Sequence, residues 1–324
     1  MAAPEFPEIE LALVSTAMAG DAGGLYRIAS GLMDEGVPFD ALLFDYLMET
    51  ERSVGQRWAQ ADYLVAEEHA ITAAIETVIS LLTGMLDQPK DSPLVIVATA
   101  EGDDHSLPAR AVAAHLLYLG YRTNFLGANV PAADLRDFLE IEPPVALVLS
   151  VAMTSHLLGA RSDIGAAHEV GVPVLVGGKA FGDGGRWAPS IGADAWVANL
   201  RDVAGTVQRW ADDGAPALGT AAEIQPELAQ MLERRQAILA RAAQELGAAA
   251  WPRMRDEAGL LLSAVEVALL TGDDQIVADM LDWQEASLTS HDLDPSTVRD
   301  AVATALGQFS EEGRAALSRA QTGH

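Results

Sequence analysis

The chain has 324 residues, half of them hydrophobic and 21% charged, which is enough for two or three domains with buried cores. Its net charge of −27 argues against a nucleic-acid-binding surface or one that binds anionic membranes, because both need basic patches. The absence of cysteine excludes disulfides and thiol-linked cofactors, and no apolar run is long enough to span a bilayer, so we expect a cytoplasmic protein.

Residues 1–88 are predicted to form an N-terminal four-helix bundle. Apolar residues recur three and four positions apart in "LALVSTAMAG", "ALLFDYLMET" and "AITAAIETVISLLTGML". Gly20 and Asp21 separate the first two helices. Amphipathic helices joined by short connections typically pack as a bundle.

Residues 92–212 alternate between two kinds of pattern, apolar runs and amphipathic segments. The runs are "LVIVATA", "RTNFLGA", "VALVLSVA", "VPVLVGG" and "ADAWVAN". This alternation predicts a Rossmann-like, doubly wound parallel sheet of five strands with crossover helices.

Residues 220–324 return to helical patterns after a linker rich in glycine, proline and alanine. Four helices are predicted, from "PELAQMLERRQAILARAAQELG", "WPRMRDEAGLLLSAVEVALLTG", "DQIVADMLDWQEASLTSH" and "DPSTVRDAVATALGQF". The predicted fold class is therefore α/β plus all-α: a helical bundle, a doubly wound sheet and a C-terminal helical domain.

The loop after the first strand carries the first candidate site. In "TAEGDDHS", Asp103 stands two residues before His105. A carboxylate that accepts from one imidazole nitrogen fixes the tautomer and leaves the other nitrogen free to bind a metal. The alternative is that Asp103 and Asp104 only cap the helix that starts near Ser106, and the loop taken alone favours this alternative.

Two further polar or glycine positions fall at the ends of other strands. Ser150 ends the third strand, and Gly177 and Gly178 end the fourth. Because the carboxyl ends of parallel strands share one edge of the sheet, a single large ligand placed there contacts all of these positions. Glycine leaves room for a ligand that lies against the backbone.

This pattern resembles the cobalamin-binding domain of corrinoid proteins, whose signature is Asp-x-His-x-x-Gly, then Ser-x-Leu and Gly-Gly at nearly these separations. The resemblance implies that His105 is the lower axial ligand of cobalt and that Asp103 orients it. It also implies that Ser150, Gly177 and Gly178 line the slot for the dimethylbenzimidazole tail.

Two positions depart from that signature. Pro108 stands in place of its glycine, and Ala152 stands in place of its leucine. Proline is tolerated in the first turn of a helix, so we expect altered loop geometry with binding retained. Three other histidines, His115, His156 and His168, lie in helical patterns and are interpreted as structural or surface residues.

A second motif lies in the bundle, where nine residues separate Trp58 from Glu68, which is followed by His69. Taken alone, Trp58 is better interpreted as a core residue and the other two as a solvated face. The spacing is similar to that of light-sensing adenosylcobalamin regulators, whose Trp-x9-Glu-His accommodates the adenosyl group. The resemblance implies that these three residues form the upper wall of the site. Ala59 replaces a histidine that can ligate cobalt in those regulators, so we predict water or His69 above cobalt after illumination.

The two motifs together predict a light sensor in which photolysis of the cobalt–carbon bond of adenosylcobalamin changes domain or subunit packing. We expect a homo-oligomer with light-dependent assembly or a separate output protein, and no enzymatic activity. Those regulators carry a basic DNA-binding domain, which this acidic sequence lacks, so neither nucleic acid nor membrane is expected as a partner. The alternative is a corrinoid methyl-carrier protein of a methyltransferase system.

The C-terminal helices resemble those of photocobilins, which combine a cobalamin domain with a bilin-binding helical domain. This implies biliverdin as a second chromophore, bound without a covalent bond because no cysteine is present. The alternative is that the apolar helix faces only pack together or dimerise. Candidate contacts, none of them singled out, are Arg234, Arg235, Arg253 and Arg255 for the propionates, and Trp283 and His291 for the rings.

Overall fold

The computed structural model describes residues 6–60 and 62–322. Residues 1–5 and 323–324, at the outer ends of the first and third predicted domains, lie outside the described residues, as does residue 61. No helix in the described ranges combines the length and apolar character needed to cross a membrane.

The N-terminal domain is a bundle, as predicted. Its third helix runs through a π-helical segment, Leu42–Leu47, which joins two α-helical parts without a break. The α-helices are α1 (Phe6–Met18), α2 (Ala22–Asp34), α3 (Phe39–Ala41), α4 (Met48–Ala59) and α5 (Val65–Thr83). Leucine and isoleucine side chains such as Leu25, Leu43 and Ile75 fill the space between these helices and are fully buried.

The central domain is a parallel sheet, in the order β2-β1-β3-β4-β5 within the described residues. Its strands are β1 (Leu94–Thr99), β2 (Arg122–Gly127), β3 (Ala146–Ser150), β4 (Val174–Gly177) and β5 (Ala195–Val197). The crossover helices are α6 (Ser106–Tyr118), α7 (Ala132–Ile141), α8 (Leu157–Glu169) and α9 (Asp202–Asp213). The strand order reverses between β1 and β3, so the crevice of this doubly wound fold opens above the loops that follow those two strands.

The bundle packs against the sheet domain through α6. Leu107, Ala111 and Ala114 of α6 belong to the same buried cluster as the bundle core. The opposite face of α6 packs on the sheet with Val95 and Val97 of β1. Because α6 begins immediately after His105, the bundle is held close to the candidate loop.

The C-terminal domain consists of five described helices. They are α10 (Pro226–Glu233), α11 (Arg235–Thr271), α12 (Gln275–Ser290), α13 (Pro295–Phe309) and α14 (Glu311–Thr322). The first predicted helix breaks at Arg234, and its second half continues past Gly247, whose φ of +72° kinks α11. Helix α14 was missed, because the sequence interpretation identified no separate segment after Phe309.

The C-terminal helices share a continuous core with the sheet domain. Leu157, Phe181 and Leu261 belong to one buried cluster that spans both domains. The indole nitrogen of Trp187 donates to Asp273 across the junction, at 2.8 Å. The predicted fold class is confirmed: a helical bundle, a Rossmann-like parallel sheet and a C-terminal helical region.

Candidate cofactor site

The candidate positions on the strands form one row across the carboxyl edge of the sheet. In the strand register, Thr99 of β1 pairs with Ser150 of β3, and Ser150 pairs with Gly177 of β4. The loop that carries Asp103 and His105 follows β1 directly. The sheet therefore brings the loop, Ser150 and Gly177 to the same edge.

Asp103 is the most constrained residue of the loop. Its side chain is fully buried, and Oδ2 accepts from the backbone N–H of Ala152 at 2.7 Å. Oδ1 accepts from the backbone N–H of His105 at 3.0 Å and lies 2.7 Å from Nδ1 of His105. Burial by itself raises the pKa of Asp103, but these hydrogen bonds outweigh it and hold the pKa well below its usual range.

His105 is oriented by that carboxylate. Nδ1 faces Asp103, and the side chain remains 55% exposed. The hydrogen bond to Asp103 raises the pKa of His105 above 6.5, and the charge of Glu68 on the bundle raises it further. In the neutral state with the proton on Nδ1, Nε2 carries a free lone pair, which is what a metal ligand requires.

The backbone of the loop is held from two sides. Asp163 of α8 accepts from the N–H of Glu101, and Asn129 accepts from the N–H of Gly102, both at 2.8 Å. A Cβ at Gly159 would lie 2.0 Å from the carbonyl oxygen of Glu101, so α8 approaches the loop closely. Burial raises the pKa of Asp163 to about 7. These contacts fix the position of the loop before any ligand binds.

His156 belongs to this site, although the sequence interpretation treated it as a structural or surface residue. It ends a short turn just before α8, and its Nδ1 lies 3.4 Å from Oδ2 of Asp103. Ligand atoms of Asp103, His105 and His156 all lie within 4.8 Å of one another. The signal in the sequence was its place six residues after Ser150, at the carboxyl end of β3.

The other two histidines have structural contacts elsewhere. His115 packs edge-on against Phe44, with ring centroids 5.1 Å apart. His168 pairs with Asp194 through Nε2 at 2.9 Å.

The two glycines at the end of β4 differ in what the fold requires of them. Gly178 has a φ of +117°, and a Cβ there would lie 2.0 Å from the carbonyl oxygen of Val151. The fold therefore requires glycine at that position with or without a ligand. A Cβ at Gly177 would meet Val197 at 3.6 Å, which is an ordinary contact. The fold therefore does not require glycine at this position, and room for a ligand would explain its presence.

The cap residues on α5 lie above the loop and are more exposed than Asp103. His69 is 73% exposed and Glu68 is 23% exposed, and the two side chains contact each other. Thr72 donates to Glu68 at 3.2 Å and to Glu51 at 2.7 Å. Burial raises the pKa of Glu51 to about 7. The charge of Glu68 acts on His105, so α5 faces the loop across the crevice.

Trp58 contacts the C-terminal domain. Its ring centroid lies 6.5 Å from that of Trp283 and 6.2 Å from that of His291. Ser290 donates to the carbonyl oxygen of Ala59 at 3.2 Å, next to this aromatic group. Among the described residues, no hydrogen bond or ring contact joins Trp58 to Glu68 or His69. The end of α4 is therefore connected to α12.

The arginines considered for a bilin are placed differently from one another. Arg235 is held inside the C-terminal domain by Glu266 and Ser263. Arg234 donates to the carbonyl oxygen of Phe309 at 3.3 Å. Arg253 and Arg255 are exposed.

The C-terminal domain contains a cavity of about 420 Å³. It is lined by Leu281, Gln284, Glu285, Pro295, Arg299, Asp300 and Gln321.

The residues at the crevice fit a cobalamin. The buried carboxylate holds Nδ1 of His105, so the other ring nitrogen would be free to hold cobalt. Three buried polar atoms of the loop and cap also lack a hydrogen-bond partner within the described ranges: Glu51 Oε2, Trp58 Nε1 and His156 Nδ1. Such atoms are costly unless a ligand or water satisfies them, at about 1–3 kcal/mol each.

Comparison with known families supports this assignment. Residues 93–204 match a family model described as a B12 binding domain, and residues 10–83 match a second model of the same description. The two matches cover the sheet domain with its edge loops and most of the bundle. They support a cobalamin-binding family for this chain, with cobalamin as its cofactor.

Curated relatives and a solved structure agree with that family. Trimethylamine corrinoid protein 1 of Methanosarcina mazei is 26% identical over 165 residues, which cover 48% of this chain and 76% of that protein. The HTH-type transcriptional repressor CarH of Myxococcus xanthus is 30% identical over 147 residues, 44% of this chain and 47% of CarH. The monomethylamine corrinoid protein of Methanosarcina barkeri shares the fold, with a TM-score of 0.52 and 23% identity, over 62% of this chain and 98% of that one.

Proposed function

We propose that the chain binds a cobalamin between the bundle and the carboxyl edge of the sheet, with His105 as the lower ligand of cobalt. The observation that carries this proposal is the buried Asp103, which orients His105 at 2.7 Å beside the point where the strand order reverses. Ser150 and Gly177 lie in register on the same edge, where they would line the slot for the nucleotide tail. When bound, the cofactor supplies a cobalt–carbon bond that light or group transfer can break.

The names of the relatives favour the corrinoid carrier over a bilin-binding photoreceptor. Trimethylamine corrinoid protein 1 and the monomethylamine corrinoid protein are both named for methylamine systems. As a carrier, this chain would hold a methyl group on cobalt and present it to a separate methyltransferase. It would then have no catalytic activity of its own.

A specific contact favours the second function, light sensing with adenosylcobalamin. Trp58 and Ala59 of the cap contact Trp283 and Ser290 of the C-terminal domain, which lies beyond the matched B12 binding domains. A change of the group above cobalt would move the end of α4 and so disturb α12. The output would be altered self-assembly or binding of another protein, and biliverdin in the C-terminal domain is a further part of this second proposal.

The two functions are separated by loading the full chain with methylcobalamin or with adenosylcobalamin. A carrier should retain methylcobalamin at least as well as adenosylcobalamin, and green light should leave its mass and shape unchanged. A sensor should retain adenosylcobalamin preferentially, and illumination should change its elution and light scattering. In both cases the absorption spectrum is recorded as well, because it reports how much cobalamin is retained and whether light has cleaved the cobalt–carbon bond.

Glu68→Gln sharpens this test, because Glu68 belongs to the cap and acts on the lower loop through its charge. In a sensor, the substitution should weaken retention of adenosylcobalamin more than retention of methylcobalamin. Failure to retain either cobalamin in the wild-type protein would contradict both functions and the cobalamin site itself.

Binding of a bilin is tested by the absorption spectrum of the native protein after incubation with biliverdin. If biliverdin binds without a covalent bond, a new red band is expected, and denaturation should remove it.

A further inference from the structure

We infer that Asp103, His105 and His156 form a second binding site, which takes a divalent transition-metal ion of the zinc class when no cobalamin is bound. The inference goes beyond the proposed function, since the ion uses the cofactor's lower ligand for a different purpose. Only its mutual exclusion with cobalamin rests on that function.

The three side chains already have nearly the geometry of a metal site. Asp103 Oδ1 lies 2.7 Å from Nδ1 of His105, and Oδ2 lies 3.4 Å from Nδ1 of His156. All three ligand atoms lie within 4.8 Å of one another. Tetrahedral zinc with bonds near 2.0–2.1 Å places neighbouring ligand atoms about 3.3 Å apart, so only small side-chain movements are needed.

His156 supplies an independent reason to expect a ligand. Its Nδ1 is buried and lacks a hydrogen-bond partner in the described part of the chain, although it faces a carboxylate. The 3.4 Å contact with Asp103 does not have hydrogen-bond geometry, so a bound ion would satisfy this nitrogen better than the carboxylate does. His156 ends the turn Thr154–His156 in front of α8, and its side chain lies beside Asp103.

The residues around His105 favour binding of a cation, and the site is open to solvent. The carboxylates of Asp103, Glu68 and Asp104 place negative charge around His105, which attracts a cation. The carboxylate is held by the N–H of Ala152, which orients it as metal sites require. His105 is 55% exposed, so an ion reaches the site from solvent. Two imidazoles and one carboxylate, with no cysteine in the chain, suit zinc, cobalt or nickel ions better than calcium or magnesium.

The ion and cobalamin should exclude each other. A neutral imidazole has one lone pair and one N–H. If Nδ1 of His105 gives its lone pair to the ion, Nε2 carries the proton and is unable to ligate cobalt. Conversely, ligation of cobalt through Nε2 leaves the proton on Nδ1, where it bonds to Asp103 and blocks the ion.

The test uses the full chain, freed of metal by a chelator and then titrated with Co²⁺ ions, whose visible absorption reports coordination, and with Zn²⁺ ions by calorimetry. We expect one ion per chain. His156→Ala should weaken binding of both ions at least about 100-fold, since it removes one of three ligands. The matched control is His168→Gln, which breaks the pair with Asp194 at the other end of α8 and should leave ion affinity unchanged.

Absence of a stoichiometric ion in the wild-type protein would overturn the inference, as would equal affinity in His156→Ala. Protein loaded with cobalamin should take up no ion at this site, and uptake of a full equivalent would overturn the exclusion. The ion titrations need no cobalamin, so failure of the proposed function and failure of this site are recorded separately.

Discussion

The two walls of the crevice are built differently. Below it, Asp103 is fully buried and accepts hydrogen bonds from two backbone N–H groups, at the end of a strand. Above it, His69 is 73% exposed, and Trp58 contacts a different domain. The lower wall is fixed by the topology of the sheet, whereas the upper wall depends on how two helical domains pack.

This difference has a functional consequence. Substitutions in the lower loop should affect every cobalamin alike, because each form of the cofactor would share the lower ligand. Substitutions in the cap should distinguish one upper group from another.

Replacement of the lower ligand should have the largest effect. His105→Ala removes the only side chain assigned to cobalt, so we expect retention of both methylcobalamin and adenosylcobalamin to fall more than about 100-fold. Equilibrium dialysis with absorption spectra measures this loss. His69→Ala, on the exposed cap, is the comparison variant and should change the two affinities unequally. If His69→Ala lowered the affinity for both cobalamins as much as His105→Ala does, the proposed difference between a fixed loop and an adjustable cap would be wrong.

The adjacent glycines give a matched pair that separates fold from binding. Gly178→Ala places a Cβ 2.0 Å from the carbonyl oxygen of Val151 at a φ of +117°, so we expect the free energy of unfolding to fall by about 3 kcal/mol. Gly177→Ala meets only Val197 at 3.6 Å and should cost less than about 1 kcal/mol while weakening cobalamin retention about tenfold. Urea unfolding and dialysis measure the two quantities. Unchanged retention in Gly177→Ala would remove Gly177 from the tail slot.

The pH dependence tests the electrostatics of the lower wall. Asp103 raises the pKa of His105 above 6.5, so the charged pair stabilises the cofactor-free protein fully below pH 6.5 and loses that effect as pH rises through the higher, folded-state value. The same deprotonation frees Nε2 for cobalt. Ligation should therefore strengthen with rising pH, and Asp103→Asn should lower the midpoint of that rise. Spectra of the bound cofactor from pH 5 to 9 measure it, and a midpoint that Asp103→Asn leaves unchanged would contradict the role of Asp103.

The sheet and the lower ligand pair were predictable because both follow from local rules. Apolar runs separated by amphipathic segments indicate parallel strands, and polar residues after such strands lie at one edge. Asp103 and His105 are two residues apart in one loop, so their contact needed no knowledge of long-range packing. His156 was missed because "TSH" continues into a helical pattern, although the residue itself ends a turn at the sheet edge.

Long-range packing and helix ends were harder to predict. Trp58 and Trp283 come from helices in different domains, and nothing in either segment specifies the other. The break at Arg234 falls inside an uninterrupted run of good helix formers, so propensity gave no signal there. Gly178 was interpreted as room for a ligand, whereas its positive φ and the approach of Val151 already require glycine.

The contact between Trp58 and Trp283 should give the smallest effect and the one most specific to a sensor. An aromatic pair contributes about 0.5–1.5 kcal/mol, so Trp283→Ala should speed hydrogen exchange in Gln275–Ser290 roughly fivefold in the dark. If the upper group of cobalt acts through this contact, illumination should speed exchange there in the wild-type protein loaded with adenosylcobalamin and add nothing in the variant. Trp283→Phe keeps a ring and should restore the response to light, while retention of the cofactor stays the same in all three proteins. Equal exchange in dark and illuminated wild-type protein would mean that the C-terminal domain does not sense the upper face of cobalt, which would favour the carrier function.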